Sequence, residues 1–320
     1  MGDLNGINVS DVFGLKEPLT KLMECVSSGI GKIYEPTHIK RMAKAKQEEI
    51  KLIGESLAEN INLPSTYANG ELTIDTSSAD ELIKRTGNRV LFTEIRRQQN
   101  IESIIANTYN LLNDEEKVSE DPVNPDWLFT FFNYAGDISD ENMQKLWSEI
   151  LAGEIKKPNT YSLRTLNTLK NITTLEANLY QKLCPFIFHQ SCNPFLYNDT
   201  ELFSKYNIKF SDLLKLEDCG LINLNGFITI NFEEGQNTIN NKQIILIING
   251  KLEIGVYTLT ESGTQILNII QNSMNYNNNY FLDLCNNLKE RNSQTTFNAY
   301  YIESINDSEI FYDDKKDLLK

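Results

Sequence analysis

The first half of the chain carries hydrophobic residues at the three- and four-residue spacing of amphipathic helices. Residues 16–33 show this spacing, and so do residues 36–57, where a second helix begins near Pro36. Residues 78–113 contain no proline and predict one long helix, with Ser78 and Glu81 as a capping box. A helix of this length suits a bundle or an intermolecular coiled coil.

A second set of short helices follows an acidic linker. An aromatic helix begins near Trp127, and the next helix, with Trp147 facing inward, is predicted to begin at Ser139 and to end between Gly153 and Pro158. Ser162 then caps a further helix. We interpret this block as a packing device and a hinge. Its members are Trp147, Glu154, Pro158 and Arg164, and we expect Glu154 to pair with Arg164.

The pattern changes after residue 173. Thr173 and Glu176 form a capping box, a short helix ends at Gly220, three strand-like runs follow, and Thr260 caps a closing helix. This order of elements is typical of winged-helix domains.

The predicted fold class is therefore mainly α, with a helical N-terminal and middle region and a winged-helix-like α+β domain towards the C-terminus. We predict four parts, which are an N-terminal amphipathic module at 1–72, a long helix and bundle at 73–160, the winged-helix-like domain at 161–275 and a C-terminal extension at 276–320.

Winged-helix domains often bind DNA, but the charge of this chain argues against that function. The chain has a formal net charge of −14, which disfavours non-specific binding to nucleic acid. The residues that could form a nucleic-acid face are Lys205, Lys209 and Lys215, and acidic residues surround the last of them. A DNA-reading helix normally presents Arg, Lys and amides. The charges favour contact with protein, with DNA as the alternative.

Residue types that carry chemistry are scarce. The only two histidines, His38 and His189, are far apart, and the five cysteines include no CxxC pair. Cys184, His189 and Cys192 cluster, but their spacing does not match a zinc site and a fourth ligand is missing. No nucleotide-binding or hydrolase motif occurs. We therefore predict reduced, mostly buried thiols, no catalytic residues, no cofactor, no metal and no small-molecule substrate.

A basic helix face near the N-terminus is a second candidate surface. It consists of Lys40, Arg41, Lys44 and Lys51. The pattern favours a solvated face with i,i+4 ion pairs, and it leaves a membrane-surface helix over residues 16–50, a partner helix or nucleic acid open. No window is apolar enough to span a bilayer and no secretory signal is present, so the expected location is the cytoplasm.

Two blocks resemble known bacterial families. GLKEPLTKLMECVSSGIGKIYEPTHIKRMAKAK, residues 14–46, resembles the N-terminal module of proteins related to the abortive-infection protein Abi-alpha. Residues 126–172, with the later VYTLTESG, are similar to a bacterial domain-of-unknown-function family that shares this module. The resemblance covers roughly residues 14–270. It implies a bacterial cytosolic protein linked to defence against phage, and it assigns no catalytic residues.

Three functional hypotheses follow. The first is a non-enzymatic interaction protein that self-associates through its long helices and acts in anti-phage defence. The second is a winged-helix DNA-binding regulator, and the third is a membrane-active effector that uses residues 16–50.

Overall fold

The computed structural model describes residues 17–30, 65–68, 71–74, 77–113, 115, 117–190, 193–271, 274–306 and 309–320. The chain divides into two compact units, Met1–Thr160 and Tyr161–Lys320, which we call the N-terminal and C-terminal units.

The described part of the N-terminal unit consists of helices and one short hairpin. Its elements are α1 Glu17–Ile30, β1 Ser65–Ala68, β2 Glu71–Ile74, α2 Ser77–Asn113, α3 Pro125–Ala135 and α4 Glu141–Lys156. Strands β1 and β2 pair in antiparallel register. The carboxylate of Asp140 accepts hydrogen bonds from the backbone N–H groups of Asn142 and Met143, both at 3.0 Å. Asp140 therefore caps α4, which begins at Glu141, two residues after the predicted start at Ser139.

The core of this unit is aromatic. α2 packs against α3 and α4, and α1 packs against α3. Phe131 lies at the centre, with its ring 5.2 Å from the rings of Trp127 and Trp147. α1 approaches α3 so closely that a Cβ placed on Gly29 would lie 2.3 Å from the ring of Phe132. The predicted long helix is confirmed, and the glycine near the end of α1 serves close packing.

The C-terminal unit mixes short helices with a large sheet. Its helices are α5 Leu163–Asn171, α6 Thr174–Leu183, α7 Thr200–Lys205, α8 Phe210–Asp218, α9 Glu261–Ile270 and α10 Asn278–Arg291, with a 3₁₀ turn at Cys184–Phe186. Its strands are β3 Phe188–Gln190, β4 Asn193–Tyr197, β5 Ile222–Asn223, β6 Thr229–Phe232, β7 Gln236–Asn240, β8 Ile244–Asn249, β9 Leu252–Leu259, β10 Thr296–Asn306 and β11 Glu309–Tyr312.

These nine strands form one antiparallel sheet. The order is β11-β10-β8-β7-β3-β4-β9-β5, and β6 also pairs with β9. Strand β8 lies inside the sheet, and all five residues of its apolar run, Ile244–Ile248, are buried. This explains why its sequence is continuously hydrophobic and does not alternate.

The predicted fold class is wrong. A nine-stranded antiparallel sheet in the C-terminal unit replaces the small winged-helix-like domain in an otherwise helical chain. The strand-like runs were found, but β8 pairs with β7 and with β10, and β10 comes from residues predicted as a separate extension. Strands β3 and β4, which the sequence pattern did not predict, join the sheet as well.

Local signals in this unit are confirmed. The side chain of Ser162 accepts from the N–H of Thr165, and Thr173 and Glu176 form the predicted capping box. Thr260 caps α9. α9 runs against the backbone of Leu221, and a Cβ on Gly263 would overlap the carbonyl oxygen of Leu221, so only glycine permits this approach.

Candidate functional site

The long helix α2 has a buried face and a solvent face. Its C-terminal half packs into the N-terminal unit through Ile101, Ile104, Ile105, Thr108 and Leu112, which are all buried. Its opposite side faces solvent, as expected for an amphipathic surface helix. The N-terminal half of that solvent side carries large hydrophobic residues and arginines, whereas an ordinary helix surface is mostly polar.

Five exposed residues form this surface, which we call the α2 stripe: Leu82, Arg85, Arg89, Phe92 and Arg96. Because an α-helix turns by about 100° per residue, they fall within an arc of roughly 80°. Phe92 is 71% exposed and Leu82 is 58% exposed. Arg89 and Arg96 lie one turn before and one turn after Phe92, so along the stripe the phenylalanine is flanked by two arginines.

The stripe is basic in an acidic protein. Residues 82–97 contain five basic residues and one acidic residue, a net charge of +4, while the whole chain carries −14. Arg85 is paired with Glu81 at 3.2 Å, and both side chains are about two-thirds exposed, so this pair contributes little to stability. The charge of Arg85 remains accessible to a partner.

Polar groups fix the helix that carries the stripe. The side chain of Asn100 donates to the carbonyl oxygen of Gly136 at 2.8 Å, and Gln144 donates to Asn100 at 3.3 Å. The guanidinium of Arg97 donates to the carbonyl oxygen of Asn133 at 2.8 Å and pairs with Asp137 at 3.2 Å. Arg97 therefore anchors α2 to the turn between α3 and α4.

The stripe was not predicted as a unit. The spacing of the apolar residues in this region predicts a long helix, and the arginines had no predicted role. The signal was present in the sequence, because three arginines and two large hydrophobic residues recur at alternating spacings of three and four.

The predicted basic face, Lys40, Arg41, Lys44 and Lys51, lies outside the described residues, and so does His38. Of the predicted membrane segment, α1 is described, and its apolar face is buried through Leu19, Leu22, Cys25 and Val26. Among the described residues, no helix combines the length and the apolar character that crossing a membrane requires.

The predicted nucleic-acid face is exposed but partly neutralised. The ammonium of Lys205 lies 2.6 Å from the carboxylate of Asp283, and that of Lys215 lies 4.0 Å from Asp212. Lys209 is exposed at the start of α8, where no side chain caps the helix. Asp212 is one of the acidic neighbours that the sequence indicates for Lys215, whereas the pairing of Lys205 with Asp283 was not expected.

The predicted hinge is a packed turn. Trp147 is fully buried, and Glu154 is 1% exposed. The carboxylate of Glu154 accepts from the backbone N–H groups of Asn159 at 2.6 Å and Thr160 at 3.0 Å, so it closes the turn around Pro158. Arg164 is exposed on α5, and its pairing with Glu154 stays a prediction.

The described histidine and cysteines of the C-terminal unit, which are His189, Cys184, Cys219 and Cys285, form no metal site, and Cys219 is only partly buried. No group of three potential ligands is assembled in the described part of the chain. Burial, together with the nearby charge of Lys242, lowers the pKa of His189 to about 4. Burial raises the pKa of Cys184 and Cys285, which keeps both as neutral thiols. Cys192 lies outside the described residues.

One cleft opens near the start of α10. It encloses about 500 Å³ and is lined by Lys182, Pro185, Phe186 and residues 275–279. Some of its polar side chains already make hydrogen bonds to other parts of the chain. The ammonium of Lys182 donates to the carbonyl oxygen of Asn207 at 2.8 Å, and the side chain of Asn277 caps α10. The α2 stripe is the stronger candidate because its charged and apolar groups are exposed.

Comparison with known proteins gives a family. The model of a protein family of unknown function, DUF2806, matches residues 84–285, which include most of the α2 stripe. No curated protein and no solved structure gives a significant match. The match covers more than half of the chain, and the chain therefore belongs to the DUF2806 family.

Proposed function

We propose that this protein is a non-catalytic interaction protein that self-associates through the α2 stripe. The observation that carries the proposal is an exposed phenylalanine between two exposed arginines, Arg89 and Arg96, on a helix fixed by buried contacts. Aromatic residues and arginine are enriched at the centres of protein interfaces, where a few of them supply most of the binding energy.

Rigidity of the helix supports the proposal. The half of α2 that follows the stripe is buried against α3 and α4, and Asn100 and Arg97 hold it by hydrogen bonds. A surface on a rigid element loses little conformational freedom when it binds, so more of the contact energy appears as affinity.

We place this activity in the cytoplasm of a bacterium and in defence against phage. This part of the proposal is supported by the resemblance of residues 14–46 to the Abi-alpha module. In such a role the protein would act by assembling, and the residues that matter would be those of its interaction surface.

The test compares two matched phenylalanines. Phe92→Ala removes the centre of the stripe, whereas Phe129→Ala removes a phenylalanine of α3 that is 62% exposed and lies outside the stripe. Light scattering during size-exclusion chromatography at micromolar concentration should show an oligomer for the wild type and for Phe129→Ala. Phe92→Ala should shift the protein towards monomer. A monomeric wild type would refute self-association.

The biological part has its own test. A bacterial host that expresses the wild type or Phe129→Ala should be protected from phage, measured as fewer plaques, and a host that expresses Phe92→Ala should not. Unchanged plaque numbers with the wild type over a panel of phages would refute the role in defence, whatever the oligomeric state.

A further inference from the structure

The far end of the sheet carries a projecting hairpin. Strand β10 pairs with β8 through Tyr301, and the N–H of Ile302 still donates to the carbonyl oxygen of Gln243 at 2.8 Å, whereas residues 304–306 pair with β11 alone in the described part of the chain. Strand β11 is the last strand of the sheet order. The described strands of this hairpin, residues 304–306 and 309–312, therefore extend past β8, where a second molecule could reach them.

The exposed residues of this hairpin include both aromatic and acidic side chains. Ser304 pairs with Phe311, and the alternation of side chains along a strand places Glu309 on the same face as Phe311. Tyr301 is 53% exposed and Phe311 is 45% exposed. Glu303, at the register shift between Ile302 and Ser304, is exposed as well. We call Tyr301, Glu303, Glu309 and Phe311 the hairpin face.

The charge of the hairpin is opposite to that of the α2 stripe. Residues 301–314 contain five acidic residues and no basic residue, a net charge of −5, against +4 for residues 82–97. Lys315 and Lys316 follow directly, and they bring residues 301–316 to −3. Complementary potentials of this kind steer association and select the partner surface.

The two surfaces also match in size. The stripe spans fourteen helical steps from residue 82 to residue 96, which is about 21 Å at the rise of an α-helix. The part of β10 from residue 301 to residue 306 extends over about 17 Å.

Pairing of two stripes is disfavoured. In a parallel helix pair each arginine meets its own copy. In an antiparallel pair that brings Leu82 against Phe92, Arg85 of one helix meets Arg89 of the other. Like charges that face each other destabilise the contact, so the stripe requires a different, acidic surface.

We propose that the α2 stripe of one molecule docks on the hairpin face of a second copy of the chain. Arg89 and Arg96 then pair with Glu303 and Glu309, and Phe92 packs with Tyr301 and Phe311. This inference rests on the proposed self-association and names the partner surface. Because the two contacting surfaces differ, the contact is head-to-tail and produces rings or open chains.

Charge reversal on each side tests the pairing. The stripe variant is Arg89→Glu with Arg96→Glu, and the hairpin variant is Glu303→Lys with Glu309→Lys. The controls are Lys145→Glu with Lys157→Glu in the N-terminal unit and Glu234→Lys with Glu253→Lys in the C-terminal unit, which make the same charge changes at exposed positions. Sedimentation velocity of the full chain measures association, and circular dichroism confirms that each variant is folded.

We expect each variant alone to associate at least tenfold more weakly than the wild type, and both controls to associate normally. An equimolar mixture of the stripe and hairpin variants should recover association, because the glutamates of one variant then meet the lysines of the other. A stripe–stripe contact predicts a different result for the hairpin variant, which would then associate normally on its own. Weak association of that variant alone, together with recovery in the mixture, therefore identifies the proposed contact.

Each remaining outcome overturns the inference in a recognisable way. If the wild type associates and the hairpin variant does so equally well, the hairpin is not the partner surface, while the proposed self-association stands. If the wild type is monomeric, the proposed function itself fails. If both variants are folded but their mixture does not recover association, the two surfaces do not meet.

Discussion

At the scale of single residues, close packing decides whether a substitution helps or harms. Gly29 near the end of α1 is an example, because its sequence context alone indicates a helix that alanine would improve by about 1 kcal/mol. In the structure a Cβ at this position would meet Phe132 at 2.3 Å and Leu128 at 3.3 Å. The ring of Phe132 is 3% exposed and has little room to move.

We predict that Gly29→Ala lowers the free energy of unfolding of the N-terminal unit. Overpacking costs about 1–3 kcal/mol and exceeds the gain in helix propensity. Both tryptophans of the chain, Trp127 and Trp147, lie in this unit, so urea unfolding followed by tryptophan fluorescence reports it. The control is Ser28→Ala, an exposed position of the same helix, which should change stability little. An equal or higher unfolding midpoint for Gly29→Ala would contradict the packing.

A second residue-scale prediction concerns pH. Burial lowers the pKa of His189 from 6.5 to about 4, so the folded state holds a neutral imidazole while the unfolded state binds a proton below its own pKa. The stabilisation is fully present above about pH 6.5 and is lost as the pH falls towards about 4, by roughly 3 kcal/mol in total.

His189→Gln removes this titrating group. We expect urea unfolding followed by circular dichroism to show a shallower loss of stability for the variant than for the wild type between these two pH values. Carboxylates titrate in both proteins, so the difference between the two curves isolates His189. Parallel curves would show that the imidazole has the same pKa in the folded and the unfolded protein.

At the scale of elements, the C-terminal tail packs onto the sheet of the C-terminal unit. The sequence of residues 313–320 is charged and predicts a frayed end, yet Leu319 is 9% exposed. The carboxylate of Asp317 accepts from the backbone N–H groups of Ala299 at 3.0 Å and Leu319 at 3.1 Å, and from the side chain of Asn298 at 2.9 Å. One aspartate thus fastens the tail to β10.

We predict that Asp317→Ala destabilises the C-terminal unit by about 1–3 kcal/mol, because it leaves buried hydrogen-bond donors without a partner. The matched control is Asp314→Ala, an exposed aspartate of the same tail, which should have almost no effect. Hydrogen exchange measured by mass spectrometry should show faster exchange in β10 for Asp317→Ala alone. Equal exchange in both variants would mean that the tail does not hold β10.

At the scale of the whole molecule, sequence reasoning succeeded where the signal is local. Helix caps such as Ser162 and Thr173 act within three or four residues, so they could be read from the chain and are confirmed. The sheet could not be read in this way, because β8 pairs with β10, about fifty residues later, and no local pattern states which strands meet. Because this pairing is non-local, three recognised strand-like runs led to a wrong fold class.

The candidate site was missed for a related reason. Residues on the solvent side of a helix are not constrained by packing, so periodicity finds the buried side and says little about the other. The α2 stripe becomes visible only when exposure and charge are considered together, and its acidic counterpart at Glu303 and Glu309 lies more than two hundred residues away in the sequence.

The whole-molecule prediction is that association weakens with salt. Screening reduces the attraction between exposed opposite charges, since the Debye length shortens from about 10 Å at 0.1 M to about 3 Å at 1 M ionic strength. Sedimentation velocity of the wild type in increasing sodium chloride should therefore show a falling association constant. The stripe variant, whose two arginines have become glutamates, should depend less steeply on salt. Association that strengthens as salt increases would show that apolar contacts alone hold the copies together, and Phe92→Ala would then abolish it at every salt concentration.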